Sequence, residues 1–110
     1  MANTIIKQAE TFRRALVIRD IKSNTVMDLT DCTAYAQMRT QPGGELLASA
    51  TCSVDALNST ITALWTAEQT AAFPVGDCGY DIWLKNGDEQ KPIFTEKVTV
   101  VKSYTDMTEG

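Results

Sequence analysis

The sequence predicts an all-β protein, an antiparallel β-sandwich with one short helical turn. Apolar and polar residues alternate along several short segments, which is the two-residue period of half-buried strands. Turn residues separate these segments at short intervals, and the strongest break is Gln41-Pro42-Gly43-Gly44. Only residues 67–72 have the pattern of a helix, so the strands recur without the helices that a βαβ arrangement needs. A sandwich is therefore favoured.

Length and composition indicate one domain. The chain has 110 residues, of which 44% are hydrophobic and 22% charged, as in an ordinary globular domain, and no repeat or compositional break divides it. We predict a single domain over residues 1–110 with a sandwich core at about 5–102. Residues 1–4 and 103–110 are small, polar and aperiodic, so we expect them to be flexible arms.

Three strands are predicted in the first half of the chain, over residues 12–19, 33–40 and 45–54. Their apolar faces carry, in turn, Phe12, Leu16 and Ile18 (interrupted by Arg14); Ala34, Ala36 and Met38; and Leu46, Ala48, Ala50, Cys52 and Val54. The polar face of the second strand carries Thr33, Tyr35, Gln37 and Arg39. Turns are expected near Ser23-Asn24 and at 55–59, where Asn58 is the expected residue with a positive φ.

The second half is one continuous pattern from residue 61 to 101. Ile61, Ala63 and Trp65 alternate first, and Tyr80, Ile82 and Leu84 alternate again after a helical turn. Asn86-Gly87 then predicts a hairpin that leads into a strand over residues 93–101.

The helical turn has a capping-box signature. Thr66 and Gln69 are spaced so that each side chain can accept a hydrogen bond from the other's backbone N–H, and Pro74 disfavours continuation of the helix. A turn this short is not stable alone, so we expect it to bridge the two sheets with Phe73 or Ala71 closing one end of the core.

Several segments together resemble the small immunoglobulin-like β-sandwich proteins of bacteriophage particles. The segments are Asp28-Leu29-Thr30 followed by Ala36-Gln37-Met38-Arg39, Ile61 to Thr66 followed by Gln69 to Pro74, Tyr80 to Leu84, and Phe94 to Val100. Two positions depart from the family pattern. Asp31 stands where a glycine often follows the threonine, and Lys97 replaces a glycine that would favour a bulge in the last strand.

The resemblance implies an immunoglobulin-like sandwich and a non-enzymatic structural or adaptor protein of the virion. Its place would be the tail, baseplate or neck, or the capsid as a decoration, where it would dock in multiple copies onto other virion proteins in a symmetric assembly. It supplies no catalytic residues and no cofactor. We therefore expect a virion protein made in the host bacterial cytoplasm.

The residue chemistry offers no support for an enzyme. The sequence has no histidine, which excludes histidine-based general bases and catalytic triads. Cys32, Cys52 and Cys78 are widely spaced and odd in number, so we expect buried thiols rather than a disulfide framework or a zinc site. The neighbouring carboxylates lie in or beside turns, which favours backbone capping over a catalytic pair or a calcium loop. These neighbours are Asp28 with Asp31, Asp77 with Asp81, and Asp88 with Glu89.

Charge and hydropathy argue against two classes of partner. The net charge of −4 gives no overall attraction for a phosphate backbone, so we expect no nucleic-acid partner. No window of the sequence has the length of an apolar membrane span, and the first residues lack the apolar core of a secretory signal. We therefore expect no membrane partner.

The remaining candidates are partner contacts. Trp83 and Tyr35 fall on polar strand faces, where large aromatic residues indicate an interface, although Trp83 would instead be buried if it packs under the helical turn. In or beside the arms, Ile5, Tyr104 and Met107 could contact a neighbour by strand addition. The alternative function is a carbohydrate- or receptor-binding module of a phage tail, with Trp83 and Tyr35 as stacking platforms.

Overall fold

The computed structural model describes residues 4–20, 25–26, 29 and 31–104, and in this part of the chain it has ten β-strands and one α-helix. The strands are β1 (Thr4–Lys7), β2 (Phe12–Val17), β3 (Arg19–Asp20), β4 (Thr25–Val26), β5 (Cys32–Arg39), β6 (Leu46–Ser49), β7 (Thr51–Asp55), β8 (Thr60–Trp65), β9 (Gly76–Asn86) and β10 (Glu89–Val101). Helix α1 (Ala67–Ala71) lies between β8 and β9. The expected turn at Ser23-Asn24 and residue Asp28 lie outside the described residues.

The strands form the predicted all-β sandwich. One sheet has the order β1-β10-β9-β5-β6, the other has the order β2-β8-β7, and β3 pairs with β4 separately. Among the described pairs, only β1 with β10 is parallel. A strand's own residue pattern says nothing about the direction of its partner, and β1 lies more than ninety positions from Val98, the register partner of Thr4. The sequence therefore did not predict this pairing.

The core lies between the two sheets and follows the predicted alternation. The buried apolar residues include Ala34, Ala36, Met38, Ile61, Ala63, Trp65, Tyr80, Ile82, Leu84, Val98 and Val100. At its centre the Trp65 ring lies 5.6 Å from the Phe12 ring and 4.8 Å from the Tyr80 ring. Such aromatic pairs contribute about 0.5–1.5 kcal/mol beyond the burial of their area.

The strand predicted over residues 45–54 is two strands that belong to different sheets. Ala50 separates β6 from β7 and donates its backbone N–H to the carbonyl of Ala36 at 2.9 Å. The register between β5 and β6 shifts between Met38 and Arg39, so Leu46 pairs with Arg39 and is 44% exposed. The prediction that Leu46 faces the core was wrong because a bulge reverses the parity of a strand.

Arg14 does not interrupt the inner face of β2 but belongs to it. Its guanidinium carbon lies 5.6 Å from the centre of the Phe12 ring, and Leu16 and Ile18 follow on the same side, partly buried. The guanidinium is compensated by a carboxylate from the opposite sheet, as described below. A charged side chain can take a core-facing position when such a partner is present.

Helix α1 has the capping box predicted from the sequence. Thr66 Oγ1 accepts from the Gln69 backbone N–H at 3.2 Å, and Gln69 Oε1 accepts from the Thr66 N–H at 2.9 Å. Phe73 is buried, whereas Ala71 is exposed, so Phe73 is the residue that closes this end of the core. Gln69 also donates to the Ser49 carbonyl at 3.1 Å, which links the helix to β6.

Two positive-φ positions correct or explain the expectations about turns. Asp31 has φ 64°, the left-handed conformation that glycine adopts most readily. In the turn after β7, the positive φ of 50° is at Ser59 and not at Asn58, which instead donates to Asp55 through its backbone and its side chain.

The Asn86-Gly87 hairpin is confirmed, but β10 begins at Glu89 rather than at residue 93. The register of β10 shifts between Pro92 and Phe94 and stays continuous through Lys97.

Candidate functional site

Trp83 and Tyr35 lie side by side on the outer face of the five-stranded sheet. They are register partners on β9 and β5, and their exposed fractions are 38% and 53%. Their neighbours in sequence, Ala34, Ala36, Ile82 and Leu84, are buried, so the aromatic side chains point away from the core. The possibility that Trp83 packs under the helical turn is excluded by this orientation.

Three rows of register partners cross β5, β9 and β10 on this face. From one end to the other, the rows are Tyr35–Trp83–Pro92, Gln37–Asp81–Thr95 and Arg39–Gly79–Lys97. Successive rows are about 7 Å apart, because a strand advances about 3.4 Å per residue. The first row is therefore aromatic, the second is polar with one carboxylate, and the third has two basic side chains on either side of Gly79, which has no side chain.

The gap at Gly79 forms a groove with a volume of about 680 Å³. Its lining includes Gln37, Arg39, Asp81, Thr95 and Lys97, and the segment 40–43 forms one wall. Gly79 leaves the floor open, and a Cβ there would lie 3.1 Å from the Glu96 carbonyl oxygen. This groove was not predicted from the sequence, because it depends on which rows the register brings together.

Arg39 holds the wall of the groove in place. Its Nη1 donates to the Gly44 carbonyl at 2.8 Å, and its Nη2 donates to Gln37 Oε1 at 2.8 Å. The second bond uses the oxygen of the Gln37 amide and leaves the Nε2 hydrogens of that amide as donors. Within the described part of the chain, the Asp81 carboxylate has no hydrogen-bond or ion-pair partner.

Two other candidates, Ile5 and Tyr104, lie on or just beyond the last two strands of the same sheet, β1 and β10. Ile5 on β1 is 64% exposed, and Tyr104, three residues beyond β10, is fully exposed. Lys7 and Val101 are register partners, so the end of β1 and the end of β10 lie together. Thr4, expected in the N-terminal arm, is the first residue of β1. Met107 lies outside the described residues.

A network around Glu96 joins four strands and was missed by the sequence analysis. Glu96 accepts from Thr4 Oγ1 at 2.6 Å, from Arg14 Nη2 at 2.7 Å and Nε at 3.1 Å, and from the Tyr80 hydroxyl. Thr4 belongs to β1, Arg14 to β2, Tyr80 to β9 and Glu96 to β10. The only hint in the sequence was Arg14 at a core-facing position of β2.

At neutral pH the Glu96 carboxyl of this network is ionised and the Tyr80 hydroxyl is protonated. Burial alone would raise the pKa of Glu96, but the hydrogen bonds from Thr4, Tyr80 and Arg14 outweigh it and lower that pKa. Burial, together with the hydrogen bond to Glu96, raises the pKa of Tyr80. Neither group is positioned to exchange a proton near pH 7, so the network has the character of a structural joint between the sheets.

The three thiols differ in burial. Cys78 is buried, and desolvation together with the charge of Asp77 raises its pKa to about 11. Cys32 and Cys52 are partly buried, and desolvation raises the pKa of Cys52. A raised pKa keeps a thiol protonated and unreactive at neutral pH.

The acidic side chains in the described part of the chain do not converge. Asp77 and Asp81 are both on β9 but lie four positions apart, which is about 14 Å along a strand. Asp77 accepts from Thr99 Oγ1 at 2.9 Å. Among the described residues, no group of three or more Cys, Asp or Glu side chains has a geometry that would hold a metal ion. No helix in the described part of the chain has the length and apolarity to cross a membrane.

The sequence matches no protein-family model and no curated protein. Among solved structures, the chain is similar to the N-terminal domain of phage TP901-1 ORF48. The identity is 14%, the TM-score is 0.43, and the alignment covers 90% of this chain and 84% of the other.

Proposed function

We propose that this protein is a non-enzymatic structural or adaptor component of a bacteriophage particle, built as an immunoglobulin-like sandwich. The family resemblance of the segments around residues 28–39, 61–74 and 80–100 supports the phage assignment. In the particle, the protein docks onto neighbouring virion subunits in multiple copies. The tail, the baseplate, the neck and the capsid surface are its candidate locations.

One structural observation carries the docking part of this proposal: the edge of the five-stranded sheet that β1 forms. Among the described strands, β1 has β10 as its only strand neighbour, so its other side is open to an added strand around Ile5. The opening ends at Lys7, whose backbone N–H and carbonyl are both bonded to Glu10. Ile5 is exposed on this strand, and Tyr104 is exposed three residues beyond the end of β10, the strand next to β1. Apolar side chains beside an open strand edge supply the contacts that strand addition uses.

This docking mode leaves the outer face free. A strand added beside β1 extends the sheet sideways, while Tyr35 and Trp83 lie on β5 and β9, on the other side of β10. The sandwich itself acts as a rigid body, because its core spans both sheets and the Glu96 network joins them.

Truncation and substitution at this edge test the proposal. Removal of residues 103–110, and separately Ile5→Lys, should leave the unfolding temperature of the isolated protein nearly unchanged and reduce its incorporation into particles. The matched control is Val17→Lys, which places the same charge on an exposed position of the other sheet. Incorporation of both edge variants at the level of the unmodified protein would contradict docking through this edge.

A further inference from the structure

We propose that the outer face of the five-stranded sheet binds a neutral oligosaccharide, with Trp83 and Tyr35 as the platform and the adjoining groove as the polar subsite. This goes beyond the docking role, because it concerns a different surface and does not depend on the protein's place in a virion. Four properties of the face support it.

The first property is the exposure of two aromatic rings where the fold does not require them. Trp83 and Tyr35 are neighbours on a polar strand face, and neither ring contributes to the core. Each ring leaves apolar surface in contact with water, which is unfavourable. A ligand with an apolar face would gain binding free energy by covering that surface. A pyranose presents such a face of C–H groups, with hydroxyl groups around its rim.

The second property is a row of hydrogen-bonding side chains next to the two aromatic rings, where they can reach the hydroxyl groups of a sugar that lies on those rings. Gln37, Asp81 and Thr95 form the next row, about 7 Å along the strands from the aromatic row. The Asp81 carboxylate has no partner within the described residues, and Arg39 occupies the oxygen of Gln37 so that its Nε2 hydrogens remain available. The row thus offers an acceptor, a donor and a hydroxyl to the hydroxyl groups of a sugar.

The third property is concavity. The groove at Gly79 continues from this row and is walled by the segment 40–43, which Arg39 ties back through the Gly44 carbonyl. A flat aromatic pair that leads into a groove accommodates a chain of more than one sugar ring. Binding sites for small ligands combine these elements: an apolar surface, a concave region and a few placed polar groups.

The fourth property is the balance of charge, which selects a neutral ligand. This face carries Arg39, Lys85 and Lys97 together with Asp77 and Asp81, while the Glu96 carboxylate points to the inner side and is paired with Arg14. These opposite charges largely offset one another, so the face provides little field to attract a polyanion such as a phosphorylated or sulfated polymer. An extended peptide is less well matched, because this face is the interior of a sheet and presents no open strand edge to the peptide backbone.

The two tryptophans provide a direct test by NMR of the isolated full chain. Maltotriose, cellotriose and N,N′,N″-triacetylchitotriose are titrated separately to about 10 mM, a range that detects millimolar affinity. With at least one of them, we expect saturable shifts of the Trp83 indole signal and of the Gln37 and Asp81 amides. The Trp65 indole, buried and bonded to the Ala48 carbonyl at 3.2 Å, should not shift.

Variants separate the site from general effects. Trp83→Ala and Asp81→Asn should each weaken binding about tenfold or more, whereas Thr62→Ala, at the centre of the other outer face, should not change it. Dextran sulfate should produce no shift at Trp83. No response to any of the three sugars, or a response that survives Trp83→Ala, would overturn the proposal. A response of this face only to a virion protein would also overturn the oligosaccharide proposal and would reassign the face to subunit docking. The proposal of docking through the β1 edge is tested independently, by the incorporation of the edge variants into particles.

Discussion

The two outer faces of the sandwich differ in a way that their fold does not require. On the three-stranded sheet, the nine outward positions of β2, β8 and β7 carry no aromatic residue and only two charges. These positions are Arg13, Ala15, Val17, Thr60, Thr62, Leu64, Thr51, Ser53 and Asp55. The five-stranded sheet carries Tyr35 and Trp83 beside a groove and a set of opposed charges.

Both faces are exposed, and small or β-branched residues suffice to form a strand surface. The first face therefore shows what the fold needs, and the aromatic residues and the groove on the second are an addition. We infer that the addition serves contact with a partner. The same contrast holds between the two tryptophans, since Trp65 is fully buried and Trp83 is 38% exposed.

The largest expected effect separates the two tryptophans. Trp65→Ala should lower the free energy of unfolding by about 3–5 kcal/mol, because it leaves a cavity beside Phe12 and Tyr80. Trp83→Ala should lower it by about 1 kcal/mol or less, as expected for a cross-strand pair on a surface. Urea unfolding followed by circular dichroism measures both. Similar large losses of stability in the two variants would mean that Trp83 serves the fold and would contradict the contrast drawn between the two tryptophans.

The next effect concerns the joint between the sheets. Glu96→Gln should lower the free energy of unfolding by roughly 1–3 kcal/mol at pH 7, because Arg14 loses its charged partner. The control is Glu89→Gln, since Glu89 is exposed at the start of β10. A loss at Glu89 as large as that at Glu96 would contradict the role assigned to the network.

The same network predicts a pH dependence with a definite sign. The pKa of Glu96 is lower in the folded protein than its ordinary value of 4.5, so its contribution is complete above that value. The contribution is lost as the pH falls through the folded pKa and the carboxylate becomes protonated. Thermal unfolding between pH 7 and pH 3 should therefore show a smaller acid-induced loss in Glu96→Gln than in the unmodified protein. Parallel curves for the two proteins would exclude this contribution.

A smaller effect tests the helical turn that closes the core. Thr66→Ala should cost about 1 kcal/mol, because the Gln69 N–H loses its acceptor, and Thr66→Ser should retain most of the stability. Chemical unfolding of the two variants measures the difference. Equal stability of the alanine and serine variants would show that the cap contributes little.

The smallest effect is kinetic and tests the assignment of the inner faces. Cys78 should react most slowly with a thiol reagent at pH 7, since it is buried and its pKa is raised to about 11. Mass spectrometry of labelled peptides compares it with the partly buried Cys32 and Cys52. Reaction of Cys78 before the other two would mean that the inner face of β9 opens more readily than the structure indicates.

The parts of the fold that depend on local pattern could be predicted from the sequence. The alternation in β5, β8 and β9, the capping box at Thr66 and the hairpin at Asn86-Gly87 all depend on residues close in sequence. The exposure of Tyr35 and Trp83 followed from the same alternation. The prediction that Leu46 points inward was wrong because one bulge reverses which residues of the strand face the core, and no residue type in that segment signals the bulge.

The remaining features depend on contacts between distant residues. The parallel pairing of β1, the bond of Thr4 to Glu96 across 92 positions and that of Arg14 to Glu96 across 82 have no local signature. The pairing of Tyr35 with Trp83, and the rows that form the groove, need the register of β5, β9 and β10. Individual surface residues were therefore predictable, whereas their assembly into a site was not.

The most direct test of the central claim is a quantitative mass-spectrometric census of purified phage particles separated into heads and tails. We predict that the protein is present in one of these fractions at a constant number of copies per particle. Retention should persist through washing at high salt, because a docked structural subunit is not held by surface charge alone. Absence of the protein from every particle fraction would contradict its role as a component of the virion.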